Sequence, residues 1–430
     1  MTAGTRIANG PARTRGADGG PLAPYRVLDL AGHPGWLCGR LLGDLGGDVV
    51  KIEPPGGDDG RRLGPFYRDM PENGLPWFAY NANKRGITLD IGAARGRELL
   101  RRLARRADFL IETYRPGYLD AHGIGYAALR EANPRIVVTS ITPFGQTGPY
   151  ARYHGSDLVA AAMSGFMSLV GEPGRPPLRV SLPQAPMWAG MHAAAGTLVA
   201  HHAREATGRG QHVDVSTQAA LLWALANAPA YWSLGRTDLH RGGTRIVGRS
   251  TSGAAMGAIY RCRDGHINFI LYGGEAGQRS NEGMVRWMTA LGEAPEWLRR
   301  KDWSAFHVAA ATQGEVDEVE RPFAEFLRRR TKAEFAAASL AYGILGYPVA
   351  DAHDIRSDEH LAARSFWQAV EHPERDATVT YPGPFACFSA TPLRIRRRAP
   401  GIGEHNEEIY RGELELSADE LGRLRRERVI

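Results

Sequence analysis

The chain has 430 residues, 43% hydrophobic and 23% charged, with 53 Lys and Arg against 47 Asp and Glu for a formal charge of +6. That is the balance of an ordinary globular protein of two or three domains, long enough to bury a core without disulfide or metal staples. The 52 glycines follow no G-x-y period, which excludes collagen, and the basic residues do not line one helix face between aromatics, which argues against a nucleic-acid binder. A mild excess of positive charge suits an anionic ligand. Cys38, Cys262 and Cys387 are few, odd in number and widely spaced, so neither a disulfide framework nor a zinc site is expected, and a reducing, cytoplasmic compartment is. No run of about 18 apolar residues occurs, so no membrane-spanning helix is expected. Residues 1–24 are rich in Gly, Ala, Arg and Pro and lack an apolar stretch; they read as a disordered leader rather than a secretory signal.

In chain order, Tyr25–Ala31 is a short apolar run and reads as a buried strand. Trp36–Leu45 has a helical apolar period, broken by Gly46-Gly47, and Asp48–Glu53 reads as a second strand. Such a strand, helix, strand unit fits a parallel crossover. Gly86–Ile91 is a third strand, Gly96–Arg106 a basic amphipathic helix, Asp108–Glu112 a strand, Tyr126–Ala132 a helix and Arg135–Ile141 a strand. The alternation over 25–141 predicts an open, mostly parallel α/β sheet. Ligands in such sheets sit outside the carboxyl ends of the strands. That points to Gly32–Trp36, Pro54–Asp59, Thr113–Gly117 and Thr142–Gly148. Further on, Asp157–Leu169 and Ala189–Arg204 are small-residue helices, followed by Gln211–Val215 and a helix over Ser216–Ala226. Ala258–Arg261 and His266–Leu271 read as strands around the turn Arg263-Asp264-Gly265, and Glu282–Leu291 and Pro322–Arg330 as helices. The stretch from about 240 to 350 is therefore expected to form a second, α+β domain.

The chain lacks the phosphate loop, the G-x-G-x-x-G turn after a strand, H-E-x-x-H and G-x-S-x-G, so kinase, dinucleotide-binding dehydrogenase, zincin and α/β-hydrolase readings lose their main support. The turn Pro54–Asp59 is Gly-rich, but its two acids would repel a phosphate. Spacing alone supports an α/β enzyme with an anionic substrate.

Nine blocks carry more: VLDLAG (27–32), GDVVKIEPPGGDD (47–59), NANKRGITLDI (81–91), ADFLIETYRPGYLDAHGIGY (107–126), NPRIVVTSITPFGQTGPY (133–150), GSDLVAAAMSGFMSLVGEP (155–173), TGRGQHVDVS (207–216), YRCRDGHI (260–267) and PGIGEHNEEI (400–409). In this order they resemble the class III CoA-transferases, the CaiB/BaiF family of formyl-CoA and carnitine CoA-transferases and α-methylacyl-CoA racemases. The resemblance implies a Rossmann-like large domain over 25–225 plus about 390–430, a small domain over about 240–350, linkers at 226–239 and 351–389, and an interlocked homodimer, with a heteromer with a paralogue as the alternative. It implies transfer of CoA from an acyl-CoA thioester to a carboxylic acid, without nucleic acid, membrane, metal or permanently bound cofactor, and with coenzyme A as cosubstrate.

By that resemblance Asp157 is the catalytic carboxylate. A carboxylate can attack a thioester and conserve its energy through an anhydride and an aspartyl thioester, which needs neither ATP nor metal. Ser156 and Asp157 at a helix start are equally what a helix cap demands. The resemblance places coenzyme A against His33 and Pro34, against Asn83, Lys84 and Arg85, against Thr113, Tyr114 and Arg115 at the nucleotide, and against Phe144 and Gly145 at the pantetheine. Lys84 as a point charge suits a phosphate; a solvated basic turn is the plainer reading of the same residues. Tyr114 could stack on adenine or pack in the core. His33 stands where formyl-CoA transferase has a Gln at the acyl site. Gly248–Gly257 takes the place of that enzyme's mobile glycine run, with Ser250, Ser252 and Gly253 at its centre, but is less Gly-rich. Trp36, Met163, Met187 and Trp188 could line an apolar acyl pocket or belong to the core. The SITPFGQTGPY and VSLPQAPMWAG segments look closer to members that handle succinyl-CoA and aryl- or alkylsuccinates. The racemase branch is the alternative; it needs an Asp and a His base, and here Ser156 rather than His precedes Asp157, with His122 and His154 nearby in sequence.

Overall fold

The computed structural model describes residues 19–69 and 74–430. Most of the leader expected over 1–24 lies outside the described residues. The chain divides into two compact units, one of residues up to Ser164, Ser181–Ala224 and His360–Ile430, the other of Gly165–Val180 and Leu225–Glu359.

The larger unit is built on a six-stranded parallel sheet. Its strands are β1 (Arg26–Asp29), β2 (Asp48–Glu53), β3 (Lys84–Thr88), β4 (Phe109–Glu112), β5 (Val137–Thr142) and β6 (His212–Ser216), in the order β3-β2-β1-β4-β5-β6. The helices are α1 (Trp36–Asp44), α2 (Leu75–Asn81), α3 (Ala94–Ala104), α4 (Tyr118–Ala121), α5 (Tyr126–Ala132), α6 (Asp157–Met163), α7 (Ala185–Thr207) and α8 (Thr217–Leu222). The chain runs outward from β1 to β3 and then returns to lay β4 on the other side of β1. That reversal is the switch point of a Rossmann-like doubly wound sheet.

Alternation along the strands fills both faces. Leu28, Val50, Ile87, Leu110 and Val138 meet Leu99, Leu100 and Leu103 of α3 and Leu129 of α5 on one side. Val27, Val49, Phe109 and Val137 meet Cys38 and Leu42 of α1 and the alanines 189, 193, 194 and 200 of α7 on the other. Strands buried on both faces read as continuous apolar runs, which is how they appear in the sequence. The small residues of α7 let it approach closely: a Cβ on Gly190 would lie 2.8 Å from the Leu37 Cβ.

One ion pair crosses this core. Lys84 and Asp29 are both fully buried, and the Lys84 ammonium donates to Asp29 Oδ2 at 2.8 Å, to the Trp36 carbonyl at 3.0 Å and to Asn81 Oδ1 at 2.8 Å. Asp29 Oδ1 accepts from the Ala31 amide at 3.0 Å. A Cβ on Gly39 would lie 2.1 Å from Asp29 Oδ2, so α1 can pass the carboxylate only with glycine there.

The smaller unit has its own core. Ile259–Cys262 and Gly265–Phe269 form the expected hairpin, joined by a third antiparallel strand, Gly346–Pro348. Helices Gly274–Ala290, Gln313–Leu327 and Lys332–Tyr342 pack Met284, Trp287, Phe323, Phe326 and Phe335 around Ile267 and Phe269. Two of these helices start earlier than expected. Residues 274–281 are too polar to show a period, and Pro322 lies inside its helix, whose start is fixed by the Thr312–Glu315 capping box.

Other boundaries also moved. The helix expected over Asp157–Leu169 stops at Met163, because Gly165 takes φ +80° and a short 3-10 turn follows. The segment 226–239 carries a helix over Ala228–Gly235. Within 351–389, Trp367–His372 pairs with Ala377–Pro382 as a hairpin, after two short helices. Its turn has no glycine: Asp376 supplies the left-handed residue at φ 47°.

Removing one half of the buried pair strands the other. Lys84→Ala is expected to lower stability by about 3–5 kcal/mol, read as a fall in the unfolding midpoint. The double change Asp29→Asn with Lys84→Met should recover part of that loss, because no uncompensated charge remains.

Candidate active site

The carboxyl ends of β1, β4, β5 and β6 open into a cavity of about 640 Å³, within the range of small-molecule sites. All of its lining residues belong to the larger unit. His33 and Pro34 follow β1, Thr113–Pro116 follow β4, Thr142 and Pro143 end β5, and Thr217 follows β6. The Ala151–Asp157 loop and the start of α7 complete the wall. The loops after β1 and β4 are knitted together at the switch point, where the Gly32 amide donates to Thr113 Oγ1 at 2.8 Å.

Among the described residues Asp157 is the one carboxylate in this wall. It is the first residue of α6, after the cap Ser156, whose hydroxyl accepts from the Val159 amide. Its Oδ1 also accepts from the Gln184 and Ala185 amides at 2.8 and 2.9 Å. Two otherwise unpaired donors at the N-terminus of α7 are thereby met by a negative charge, which the helix dipole favours. His33 sits edge-on to Trp36, ring centroids 5.2 Å apart. Burial pushes its pKa down, partly opposed by Asp58 and Asp157, so its ring is held in the neutral form.

In the same wall, an Nη of Arg115 donates to His154 Nδ1 at 3.2 Å. Arginine can only donate, so His154 carries its proton on Nε2. Arg152 lines the same wall and has no hydrogen bond or ion pair among the described residues. Tyr153 lies on the rim, against Tyr150 at 5.2 Å and Phe144 at 6.4 Å. Tyr114 lines the cavity and stacks on Tyr118 at 4.8 Å, leaving at most its other face for a ligand. Beneath the wall, Glu112 is buried at the end of β4. It accepts from the Tyr114 amide at 2.6 Å and interacts with Ser140, whose hydroxyl also meets His212 Nε2 at 2.8 Å. Burial raises the Glu112 carboxyl to about 7, against those hydrogen bonds.

His33, Pro34, Thr113, Tyr114, Arg115 and Asp157 thus share one cavity. Phe144 and Gly145 lie just beyond its edge, on the loop that Asp214 holds through the Gln146 amide. The Asn83–Arg85 block, expected to contact coenzyme A, does not line this cavity. Lys84 is consumed by the buried pair. Arg85 is bound to Asp48, Glu408 and Glu413, and Asn83 to Asp44 and the 394–396 backbone, at the amino edge of the sheet. The apolar candidates also disperse. Trp36 is core, packed on Trp77, while Met163 is exposed and Trp188 stacks on His192. His122 is turned to the Tyr118 carbonyl.

Ser250, Ser252 and Gly253 lie in the smaller unit. Both serine hydroxyls donate to the Ala311 carbonyl, at 2.8 and 2.6 Å, and Thr251 is held by the Ala309 carbonyl. Gly253 takes φ +79° in open space. Among the described residues the one acid and histidine cluster, Asp351, His353 and Asp354, lies at or near the surface, with both carboxylates paired to Lys332. Sequence reading missed Arg152, Tyr153 and Glu112. The first two stand in a gap between two recognisable blocks, and Glu112 ends a strand, where a lone acid carries no signal.

The model of CoA-transferase family III matches residues 22–406. The chain is 38% identical to the succinyl-CoA:(R)-benzylsuccinate CoA-transferase subunit BbsE of Thauera aromatica, over 90% of this chain and 92% of that one. It is 30% identical to the succinyl-CoA–D-citramalate CoA-transferase of Chloroflexus aurantiacus, over 95% and 98%. A CaiB/BaiF family protein from Brucella suis superposes with a TM-score of 0.78 at 29% identity, over 92% of this chain and 100% of that one.

Glu112 gives this site a pH signature. Its folded value, about 7, lies above the ordinary 4.5, so the fold favours the protonated form. That stabilisation is complete below about pH 4.5 and is lost as pH rises through 7. Relative to Glu112→Gln, the native protein is expected to lose on the order of 3 kcal/mol between pH 4.5 and 8, measured as the difference between their denaturation curves.

Proposed function

The chain belongs to CoA-transferase family III and is a CoA-transferase, and on that premise we propose that it moves CoA from succinyl-CoA to a dicarboxylic acid in the cavity at the switch point. The donor and acceptor are supported by the relatives, which are named for succinyl-CoA with benzylsuccinate or citramalate. The observation that carries the reading is a single carboxylate, Asp157, in a cavity of substrate size at the carboxyl ends of the strands.

In this reading Asp157 attacks the thioester carbonyl, forming a mixed anhydride and expelling CoA thiolate. The thiolate attacks the aspartyl carbonyl, giving an aspartyl-CoA thioester and free succinate. The acceptor carboxylate then displaces the thiolate, which returns to the acceptor's carbonyl and leaves Asp157 as it began. The Gln184 and Ala185 amides hold Oδ1, so Oδ2 is the attacking oxygen, and the same two donors face the oxygen that gains charge in the steps where the aspartyl carbonyl is the one attacked. Neutral His33 offers a ring N–H to the acyl group, Thr113 and Tyr114 flank the nucleotide, and Phe144 and Gly145 lie along the pantetheine.

The same two amide bonds favour a second reading. They make Asp157 a cap that fixes α7, and the nucleophile would then come from a second, paralogous chain. Relatives named as subunits support that arrangement. The first reading fits an interlocked homodimer, for which the exposed Met191, Val199 and Trp223 offer apolar surface. No helix among the described residues is long and apolar enough to cross a membrane, and the proposed location is cytoplasmic.

Asp157→Asn separates the two, because an amide oxygen can still accept both N–H groups. In the first reading, hydroxylamine trapping after incubation with succinyl-CoA labels Asp157, and the variant loses on the order of 10³-fold in transfer with an unchanged unfolding midpoint. Retained transfer, with the label on a co-purifying chain, establishes the second. Intact-mass spectrometry of the purified assembly reports whether one or two kinds of chain are present.

A further inference from the structure

Five acids are buried among the described residues, and four of them lie on a cation: Asp29 on Lys84, Asp44 on Arg40, Glu53 on Arg61 and Glu320 on Arg245. Glu112 is the fifth, 4% exposed, and it forms no ion pair among the described residues. Its contacts run in two directions. Toward the cavity, its Oε2 accepts from the Tyr114 amide at 2.6 Å, and Thr113 of the same loop takes the Gly32 amide. Toward solvent, Ser140 stands opposite Glu112 in the β4–β5 register and bonds its carboxyl. The Ser140 hydroxyl lies 2.8 Å from Nε2 of His212, which is exposed on the edge strand β6 and stacked on Tyr126 of α5. The charged groups that act most on Glu112 are both acids, Asp120 of α4 and Asp214 of β6, and the titratable ring beside it is Tyr114, stacked on Tyr118 of α4. None of these offsets a negative charge on Glu112.

We propose that Glu112 is a positioning residue with an exchangeable proton: it holds the loop of Thr113, Tyr114 and Arg115 through the Tyr114 amide, and it takes up a proton from solvent, through His212 and Ser140, when the phosphates of coenzyme A occupy that loop. The inference rests on the placement of the coenzyme A nucleotide given above and deepens it by adding the protonation that goes with binding. Phosphates near a buried carboxylate with no counter-charge raise the cost of keeping it ionised. Protonation removes that cost and leaves an oxygen still able to accept the Tyr114 amide. In the transfer, His212 takes a proton from water on Nδ1 and passes the one on Nε2 to Ser140 Oγ, while the Ser140 hydroxyl proton goes to the carboxylate. His212 and Ser140 end neutral, as they began, and one negative charge is gone from Glu112. Burial sets the Glu112 carboxyl at about 7 in the free protein, so the uptake falls between about pH 7 and 8.5.

The assembly is purified with whatever second chain accompanies it, as native protein and as Glu112→Gln, Glu112→Leu and Ser140→Ala. Calorimetry of coenzyme A binding at about pH 7.5, in buffers of different ionisation enthalpy, gives the protons taken up per site. It is repeated with 3′-dephospho-coenzyme A, whose pyrophosphate does not titrate there. With either ligand the native protein is expected to take up about half a proton more than Glu112→Gln. Between about pH 6.5 and 8.5 its affinity should fall about fivefold more than that of Glu112→Gln. Glu112→Gln keeps an oxygen for the Tyr114 amide and should bind within about twofold of native at the acid end, whereas Glu112→Leu lacks one and should bind about tenfold more weakly at every pH. Ser140→Ala removes a bond that favours the carboxylate, so its uptake should peak at a higher pH than that of native protein. Equal uptake by native protein and Glu112→Gln overturns the proposal, as does equal affinity of the Leu and Gln variants. An unmoved peak in Ser140→Ala overturns it even where the Glu112 variants do not fold, and so does a failure of coenzyme A to bind native protein at any pH. Should the uptake be found while no donor supports transfer, the role of Glu112 stands and the transferase reading is what fails.

Discussion

A buried charge pair governs the larger unit. Lys84 and Asp29 are fully buried, so each must be satisfied by the other and by fixed neighbours, and an unpaired partner would cost several kcal/mol. The ammonium therefore binds β3 to the end of β1, to the first turn of α1 and to the end of α2 at once. It also demands Gly39, because any side chain there would strike the carboxylate. Asp29 is the last residue of β1, so whatever fixes it also fixes the loop that carries His33 and Pro34 into the cavity. The geometry of the site is thus set from below, by a pair that never meets a ligand.

Above that base the cavity wall carries both signs of charge. Asp157 has its first oxygen pinned by helix amides, and His33 of the same wall is kept neutral by burial. Arg115 and Arg152, both exposed, meet no carboxylate among the described residues.

The sheet was legible from the sequence because strands buried on both faces show as short, uninterrupted apolar runs between turn signals; Asp48–Glu53 emerges with the limits read from its residues. So was the neighbourhood of the site, since the rule that ligands gather at strand ends points to His33, Thr113 and Arg115 without any motif. What failed was the reading of charge. Lys84 and Arg85 look like a solvent-facing basic turn, and nothing local reveals that their partners are Asp29, Asp48 and Glu413, the last more than 300 residues away. The hairpin over 367–382 was hidden for a different reason: its turn uses an aspartate where a glycine would have announced it. Arg152 and Tyr153 are visible only once folding has carried their loop over the ends of β1 and β4.

The outer edge of β3 shows what such distant partners entail. Its amides and carbonyls are met by residues from 397 onward: Asn83 by the Arg397 carbonyl, Gly86 by His405, Thr88 by Asn406 and Tyr410. A chain emerging from the ribosome reaches β3 early and these residues only some 318 positions later. Until then the sheet presents a bare edge of the kind that recruits foreign strands. Synthesis therefore leaves the nascent chain dependent on shielding for most of its elongation, and a stall anywhere before position 397 yields a product whose sheet cannot be closed.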